Sequence, residues 1–409
     1  MTGARATVFL HVGAPKTGTS FVQDLLFHNR KALAQQGILY PAERFDAHFL
    51  AALDLMDLDW GGLEKEAVGA WDRLAEQVRG WDGTVIISHE ILARASRAQV
   101  RRALDSFGEA EVHVVLSARD LVRQIPAEWQ ENVKHRRAIG YGDFLERVTD
   151  PARAGRLASW FWGVQEIPDI LDRWGSTLPV ERVHLVTVPK PGAPRDLLWE
   201  RFAGLFGIDP HGVERGETRA NPSLGVPESA LLRRVNERVN GGVLPNHRYR
   251  ELVRELLAHR SLSTRTGSGR LALPPEARAW AVDLSEAWIK ALESRGYDVV
   301  GTLDDLRPDA DAAPFVDPDQ PDEHEVADAA VQAIVTLLQE ASRLRDIEDA
   351  LNAELAHTRR ERDEAWAAAG RRRVYRAKQR LVRFAQGNAA GRAALGAYRR
   401  VRGRSSRSA

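Results

Sequence analysis

Fourteen consecutive residues, Thr7 to Ser20, hold the densest chemistry in the chain: Thr-Val-Phe-Leu-His-Val-Gly-Ala-Pro-Lys-Thr-Gly-Thr-Ser. Val8 to Val12 is an apolar run. Gly13, Pro15 and Gly18 punctuate a loop, and Ser20-Phe21-Val22-Gln23-Asp24-Leu25-Leu26 reads as the start of a helix. A strand that turns tightly into a helix N-terminus gathers unpaired backbone N–H groups and the positive end of the helix dipole at one point, which suits phosphate-like anions. Lys16 adds a full charge there, and Thr17, Thr19 and Ser20 add hydroxyls. The spacing is not that of a Walker A loop, G-x-x-x-x-G-K-[ST], in which Lys follows the second Gly and the next hydroxyl meets Mg²⁺. Here Thr19 follows Gly18 and the lysine lies inside the loop, so the pattern predicts an anion handled without a metal. A plain strand-turn-helix with a solvated lysine is the bland alternative. Six specific residues, Pro15 to Ser20, set directly after a buried-type strand argue against it.

Two further groups stand at the ends of similar runs. Ser88-His89-Glu90 follows Thr84-Val85-Ile86-Ile87. Either His89 or Glu90 suits a general base, while a capping Glu90 and a packed His89 would account for the same residues structurally. The run Val112 to Ser117 continues into Ala118-Arg119-Asp120. A guanidinium at Arg119 suits a phosphomonoester bidentately, or a structural ion pair with a nearby carboxylate.

These groups need strands to present them. Val8 to Val12, Thr84 to Ser88, Val112 to Ser117 and Val183 to Val188 read as buried parallel strands. Helix-like segments 20–36, 63–79, 97–107, 121–137 and 194–206 lie between them. That alternation predicts an α/β fold with a central parallel sheet covered on both faces, and ligands in such sheets bind beyond the carboxyl ends of the strands. Segments 226–259 and 274–295 read as amphipathic helices, with Trp280 and Trp288 as core. Gly296 to Val300 closes the domain 1–300.

Composition shifts at 301. Residues 301–325 are rich in Asp and Pro, from Asp304 to Asp322, and read as an acidic linker. A long amphipathic helix, 326–370, follows. Its stripe Val331, Ile334, Leu337, Leu338, Ala341, Leu344, Ile347, Leu351 and Leu355 suits a partner helix, so a C-terminal helical, coiled-coil extension and a homodimer are expected. The tail 371–409 carries thirteen Arg or Lys and no Asp or Glu. Interleaved with Val374, Tyr375, Leu381, Val382 and Phe384, it suits an anionic membrane surface; a non-specific polyanion and a solvated tail are its other readings, and no specific nucleic acid is expected.

The remaining composition narrows the classes. The 409 residues suffice for one large domain and an appendage, with ordinary hydrophobic (44%) and charged (28%) shares and a net charge of +1. The absence of cysteine excludes disulfides, thiolate metal sites and cysteine nucleophiles. The twelve histidines show no metal-ligand spacing. With no apolar leader and no run near ~20 apolar residues, a cytoplasmic location is expected, peripheral at the inner membrane surface if the tail docks there.

Pro15-Lys16-Thr17-Gly18-Thr19-Ser20 resembles the 5′-phosphosulfate loop of sulfotransferases that use 3′-phosphoadenosine 5′-phosphosulfate (PAPS). Pro126 to Lys134 looks like the corresponding segment of actinobacterial sulfotransferase-like proteins. The resemblance covers residues 7–300 in the order and spacing of its motifs. It implies a P-loop-like three-layer fold, PAPS as donor, and metal-free in-line transfer of a sulfuryl group to a hydroxyl or amine of a glycan, glycolipid or small molecule. The donor would lie on Pro15, Lys16, Thr17, Gly18, Thr19, Ser20 and Arg119; Lys16 would meet charge on the bridging oxygen, and His89 or Glu90 would be the base. The family pattern places a Ser eight residues after the Arg, where this chain has Ala127. Ser117, Arg123, Gln124 and Lys134 are candidates to replace it. Asn221-Pro222-Ser223-Leu224-Gly225 is a turn, or a loop closing over the nucleotide. Acceptor contacts would come from loops 37–62 and 138–168, with Tyr40, His48, Trp60, Tyr141, Trp160 and Trp162. The rival readings are a P-loop phosphotransferase, which needs Mg²⁺, and a non-catalytic scaffold on the same fold.

Overall fold

Apolar runs buried on both faces become the middle of one sheet. The computed structural model describes residues 6–214, 223–309 and 313–405. Its strands are β1 (Thr7–Gly13), β2 (Ile38–Leu39), β3 (Thr84–Ser88), β4 (Glu111–Ala118), β5 (Val183–Thr187) and β6 (Asp298–Val300). All pair in parallel, in the order β2-β3-β1-β4-β5-β6. The protein is thus α/β with a six-stranded parallel sheet and helices on both faces, consistent with a P-loop-like three-layer fold. The two-residue period of a strand explains the two cores. Val8, Leu10 and Val12 face one, with Trp71, Trp129 and Trp174; Phe9 faces the other, with Val22, Leu26, Phe202 and Phe206.

The chain leaves β1 toward β3 and β2, then returns to β4 on β1's other side. In open parallel sheets such a reversal places the ligand site beyond the carboxyl ends of the strands beside it, here those of β1, β3 and β4, which end at Gly13, Ser88 and Ala118. Trp280 and Trp288 pack edge-on against Trp162, as core.

The helical segment expected over 226–259 is divided. Val226–Val239 is α-helical, and Tyr249–Ser261 is a π-helix reached after Asn240-Gly241-Gly242. The expected boundary at 301 also moves. The first compact unit runs to Thr336, and acids of the expected linker serve in it as buried or half-buried hydrogen-bond acceptors. Asp305 accepts from Thr187 Oγ1 and from Arg201 Nη1, both at 2.7 Å, and Asp319 accepts from Gly142 N at 2.9 Å. Val326, Ala329 and Ala333 are buried in the same unit. Asp311 lies outside the described residues.

The second unit, residues 337–409, is helical where described. The helix Glu323–Gln386 runs past the expected end at 370 into the first sixteen residues of the basic tail, and Ala389–Ser405 follows. Along it Leu344, Ile347, Leu351 and Leu355 are exposed. Among the described residues no helix is long and apolar enough to cross a membrane.

Candidate functional site

The loop after β1 is built on two glycines whose backbone excludes other residues. Gly18 has φ +87°, and a Cβ there would lie 2.5 Å from Leu198 Cδ2; Gly13 has φ +145° and would clash with Ala93 and the Glu90 carbonyl at 3.0 Å. Gly18 ends the loop, and the helix Thr19–His28 starts directly after it. Lys16 itself sits at φ +64°, a left-handed conformation that costs a non-glycine residue about 1 kcal/mol.

Neighbouring side chains hold that conformation. The Pro15 carbonyl accepts from Gln124 Nε2 at 2.6 Å and from Gln165 Nε2 at 3.3 Å. Thr17 is buried; its hydroxyl donates to the Ala14 carbonyl at 2.6 Å and lies against Ser117 Oγ. Beneath the loop, His11 bridges Ser88 Oγ (2.8 Å) on β3 and Ser117 Oγ (3.1 Å) on β4, and Ser117 donates to the Gly13 carbonyl at 2.8 Å. Thr17 and Ser117 therefore shape the cradle from inside. Thr19 is buried at the helix start, Ser20 is exposed there, and Gly18, Pro15 and Lys16 are half-buried. In that first turn the N–H groups of Phe21 and Val22 bond the Gly18 carbonyl, which leaves those of Thr19 and Ser20 without an intrahelical acceptor.

Lys16 extends to Glu131 of the helix Leu121–Lys134 and forms an ion pair with it. Glu131 also accepts from His135 Nε2 at 3.0 Å and Arg254 Nη2 at 3.3 Å. Burial alone would raise the Glu131 carboxyl, but the His135 bond and the charges of Lys16 and Arg254 outweigh it and hold it well below the usual carboxylate range. Lys134 lies in the same cluster; burial, then the charge of Lys16, lowers it to about 8. One carboxylate is thus ringed by Lys16, Arg254 and His135, with Lys134 close by.

Glu128, one turn earlier, has the opposite character. It is buried, it accepts from Gln165 Nε2 at 2.9 Å, and burial raises it to about 7 against the pull of Lys16. Arg119, partly buried at the end of β4, donates through Nε to Gln124 Oε1 and through Nη2 to the Arg123 carbonyl, both at 2.9 Å. Burial and the adjacent Arg123 lower it to about 10, so it remains a cation at neutral pH. Arg123 pairs with Asp120 through Nε and donates to the Pro189 carbonyl at 3.2 Å, while its buried Nη2 has no partner. A buried donor left over beside a second guanidinium fits an anionic group of a ligand.

His89 and Glu90 follow directly on the carboxyl end of β3. His89 stacks on Phe49 at 5.0 Å, and its Nδ1 accepts from Ile91 N at 3.4 Å, so the hydrogen sits on Nε2. Burial lowers its pKa against the opposing charge of Glu90. Glu90 accepts from Gln23 Nε2 at 3.0 Å. Burial would raise its carboxyl, but His89, the Gln23 bond and Lys16 outweigh that and lower it. Glu90 feels the charges of His89 and Lys16, so three of the expected groups lie near one another, and Glu128 feels both Lys16 and Arg119.

Of the expected acceptor contacts, Tyr40, His48, Tyr141 and Trp162 are buried in the core. His48 is bonded to Ser88 N at 3.2 Å. Trp60 and Trp160 remain half-exposed, 5.7 Å apart, and continue through Phe49 to His89 as one aromatic wall. Asn221 and Pro222 lie outside the described residues.

The residues that sequence reasoning missed are His11, Glu128, Glu131, Gln165 and Arg254. Among the described residues there is no group of acids and histidines able to hold a metal ion. Comparison with family models, curated proteins and solved structures finds no match to this chain.

The buried histidines carry a stability prediction. Burial lowers both His11 and His48 to about 4 from the ordinary 6.5. The unfolded chain binds more protons in that window, so the stability from neutral imidazoles is present above 6.5 and lost as pH falls toward 4. Glu128 acts oppositely: its neutral form contributes below 4.5, and that contribution is lost as pH rises through about 7. Each group is worth on the order of 3 kcal/mol. His259, also lowered to about 4, and the lowered His89 and His184 act in the same direction, so the imidazoles outweigh the one raised carboxyl and stability falls between pH 6.5 and pH 4, checked by urea unfolding across that range. A flat profile would contradict the buried neutral histidines.

Proposed function

We propose that this protein is a sulfotransferase that takes a sulfuryl group from PAPS and gives it to a hydroxyl or amine of a glycan, glycolipid or small-molecule acceptor. One observation carries the reading: Lys16, held in a left-handed loop conformation, stands beside a helix N-terminus, and Arg119, tied through Gln124 to the same loop, stands next to an arginine with an unpartnered buried donor. The loop is a cradle for the 5′-phosphosulfate. Arg119 and the unpartnered Nη2 of Arg123 suit the 3′-phosphate, with Arg123 in the role that Ala127 cannot fill.

The chain's groups then have defined work. Lys16 meets the negative charge that builds on the bridging oxygen as the S–O bond to phosphate lengthens. Glu90 takes the acceptor proton, because the Nδ1 of His89 is engaged and its Nε2 carries hydrogen. His89 donates and orients. The acceptor oxygen gains the sulfuryl group, and adenosine 3′,5′-bisphosphate leaves. The half-exposed wall of Phe49, Trp60 and Trp160 suits the flat face of a sugar or aromatic ring.

Calorimetry tests this reading. Adenosine 3′,5′-bisphosphate binds without Mg²⁺, and Arg119→Ala weakens it more than it weakens adenosine 5′-phosphate. Binding of ATP only with Mg²⁺ would point to a phosphotransferase, and binding of neither nucleotide to a scaffold.

The Lys16–Glu131 pair adds an expectation. Glu131 occupies the ammonium that the donor needs, so Glu131→Gln raises affinity for adenosine 3′,5′-bisphosphate by about three- to tenfold, in line with the ~1 kcal/mol of a half-exposed ion pair. Lower affinity in that variant would instead make Glu131 a support for Lys16.

A further inference from the structure

The segment from Trp366 to Gln386 is one continuous stretch of the helix Glu323–Gln386, and its two faces differ sharply. Trp366, Gly370, Val374, Ala377, Leu381 and Phe384 recur at steps of four and three, which places them on one side of a helix. Trp366, Val374, Leu381 and Phe384 are each more than two-thirds exposed. From Arg371 to Gln386 there are seven cations and no Asp or Glu. Arg371 and Lys378 flank the apolar stripe on one side, and Arg373 and Arg380 on the other. Arg373, Arg376, Ala377, Arg380, Leu381 and Phe384 line one shared groove along the helix.

We propose that this segment docks on an anionic lipid surface, lying in its plane with the apolar stripe below the headgroups and the flanking cations among them. The chemistry favours lipid over two other occupants. A second copy of the segment would set flanking cations against cations, since none of the flanking positions is acidic. A nucleic acid would neutralise the charge but leave Trp366, Leu381 and Phe384 in water. An anionic membrane satisfies both faces: the stripe enters the boundary between headgroups and acyl chains, and the long Arg and Lys stems let their charges reach the phosphates. The flanks of a small Gly370 and Ala377 leave the three large side chains Trp366, Leu381 and Phe384 as the anchors. The inference is independent of the sulfuryl-transfer reading.

The test is co-sedimentation of the full-length protein with vesicles of phosphatidylcholine alone and of phosphatidylcholine mixed with phosphatidylglycerol. The protein binds the mixed vesicles and not the neutral ones, and about 1 M salt, where the Debye length is ~3 Å, releases it. Arg373→Gln with Arg380→Gln weakens binding by roughly 25-fold, about fivefold per cation. Leu381→Glu with Phe384→Glu abolishes vesicle binding with helix content by circular dichroism unchanged, and Leu381→Gln with Phe384→Gln, which leaves the charge intact, weakens vesicle binding, whereas an electrostatic contact with duplex RNA would keep its strength in the Gln variant. Equal binding to neutral vesicles, full vesicle binding by the Leu381→Glu/Phe384→Glu variant, or displacement of the protein from vesicles by duplex RNA would each overturn the proposal.

Discussion

Lys16→Ala lowers the affinity for adenosine 3′,5′-bisphosphate by roughly 10- to 100-fold and turnover by about 10²- to 10³-fold. The binding loss is that of one charge-assisted hydrogen bond to phosphate. The larger loss in turnover arises because the ammonium meets more charge at the bridging oxygen in the transition state than in the bound donor. Lys16 stands at φ +64° with the preceding carbonyl fixed by Gln124 and Gln165, so its backbone is set before any ligand arrives. A Gln165→Ala variant, which removes one of those donors and the bond to Glu128, reduces the same parameters less. Equal effects on binding and turnover in Lys16→Ala would restrict Lys16 to holding the phosphate in the ground state.

Glu90→Gln lowers turnover by about 10²- to 10⁴-fold while leaving donor affinity nearly unchanged, the pattern of a lost general base. Gln retains the contact to Gln23 in shape and removes only the proton acceptor. His89→Ala costs less, because the ring's Nδ1 caps Ile91 N and its Nε2 holds a hydrogen. The pH profile separates the two. Glu90 is lowered from the ordinary carboxylate value, so the rate stays flat as pH falls through the histidine range, and its acid limb lies below the ordinary carboxylate range. Measurement of kcat against pH checks this; a larger loss in His89→Ala than in Glu90→Gln would move the base to the imidazole.

Much of the site was legible because strands buried on both faces write themselves as apolar runs. Thr84 to Ser88 is a strand with the predicted bounds, and β1, β4 and β5 differ from the expected runs by one or two residues at their ends. Each run ends on the carboxyl side of the sheet, so the order of motifs carried the positions of Lys16, Glu90 and Arg119. The edge strands β2 and β6, with two and three residues, are too short to show a period. Glu128 and Glu131 were illegible for a different reason. Carboxylates on an amphipathic helix read as its wet face, yet here they turn toward Lys16, and only tertiary packing reveals that. Gln165 and Arg254 arrive from other helices, with no local signal. The Asp-rich stretch after 301 misled through composition, since composition cannot show that Asp305 has Thr187 and Arg201 as partners.

The central claim is that the loop from Gly13 to Ser20 holds an activated sulfate through one ammonium and a helix N-terminus. A crystal soaked with adenosine 3′,5′-bisphosphate tests it most directly. The account predicts the 5′-phosphate against the backbone of Pro15 to Ser20 with Lys16 Nζ turned from Glu131 onto it, and the 3′-phosphate on Arg119 and Arg123. A nucleotide bound elsewhere, with the Lys16–Glu131 pair intact, would contradict it.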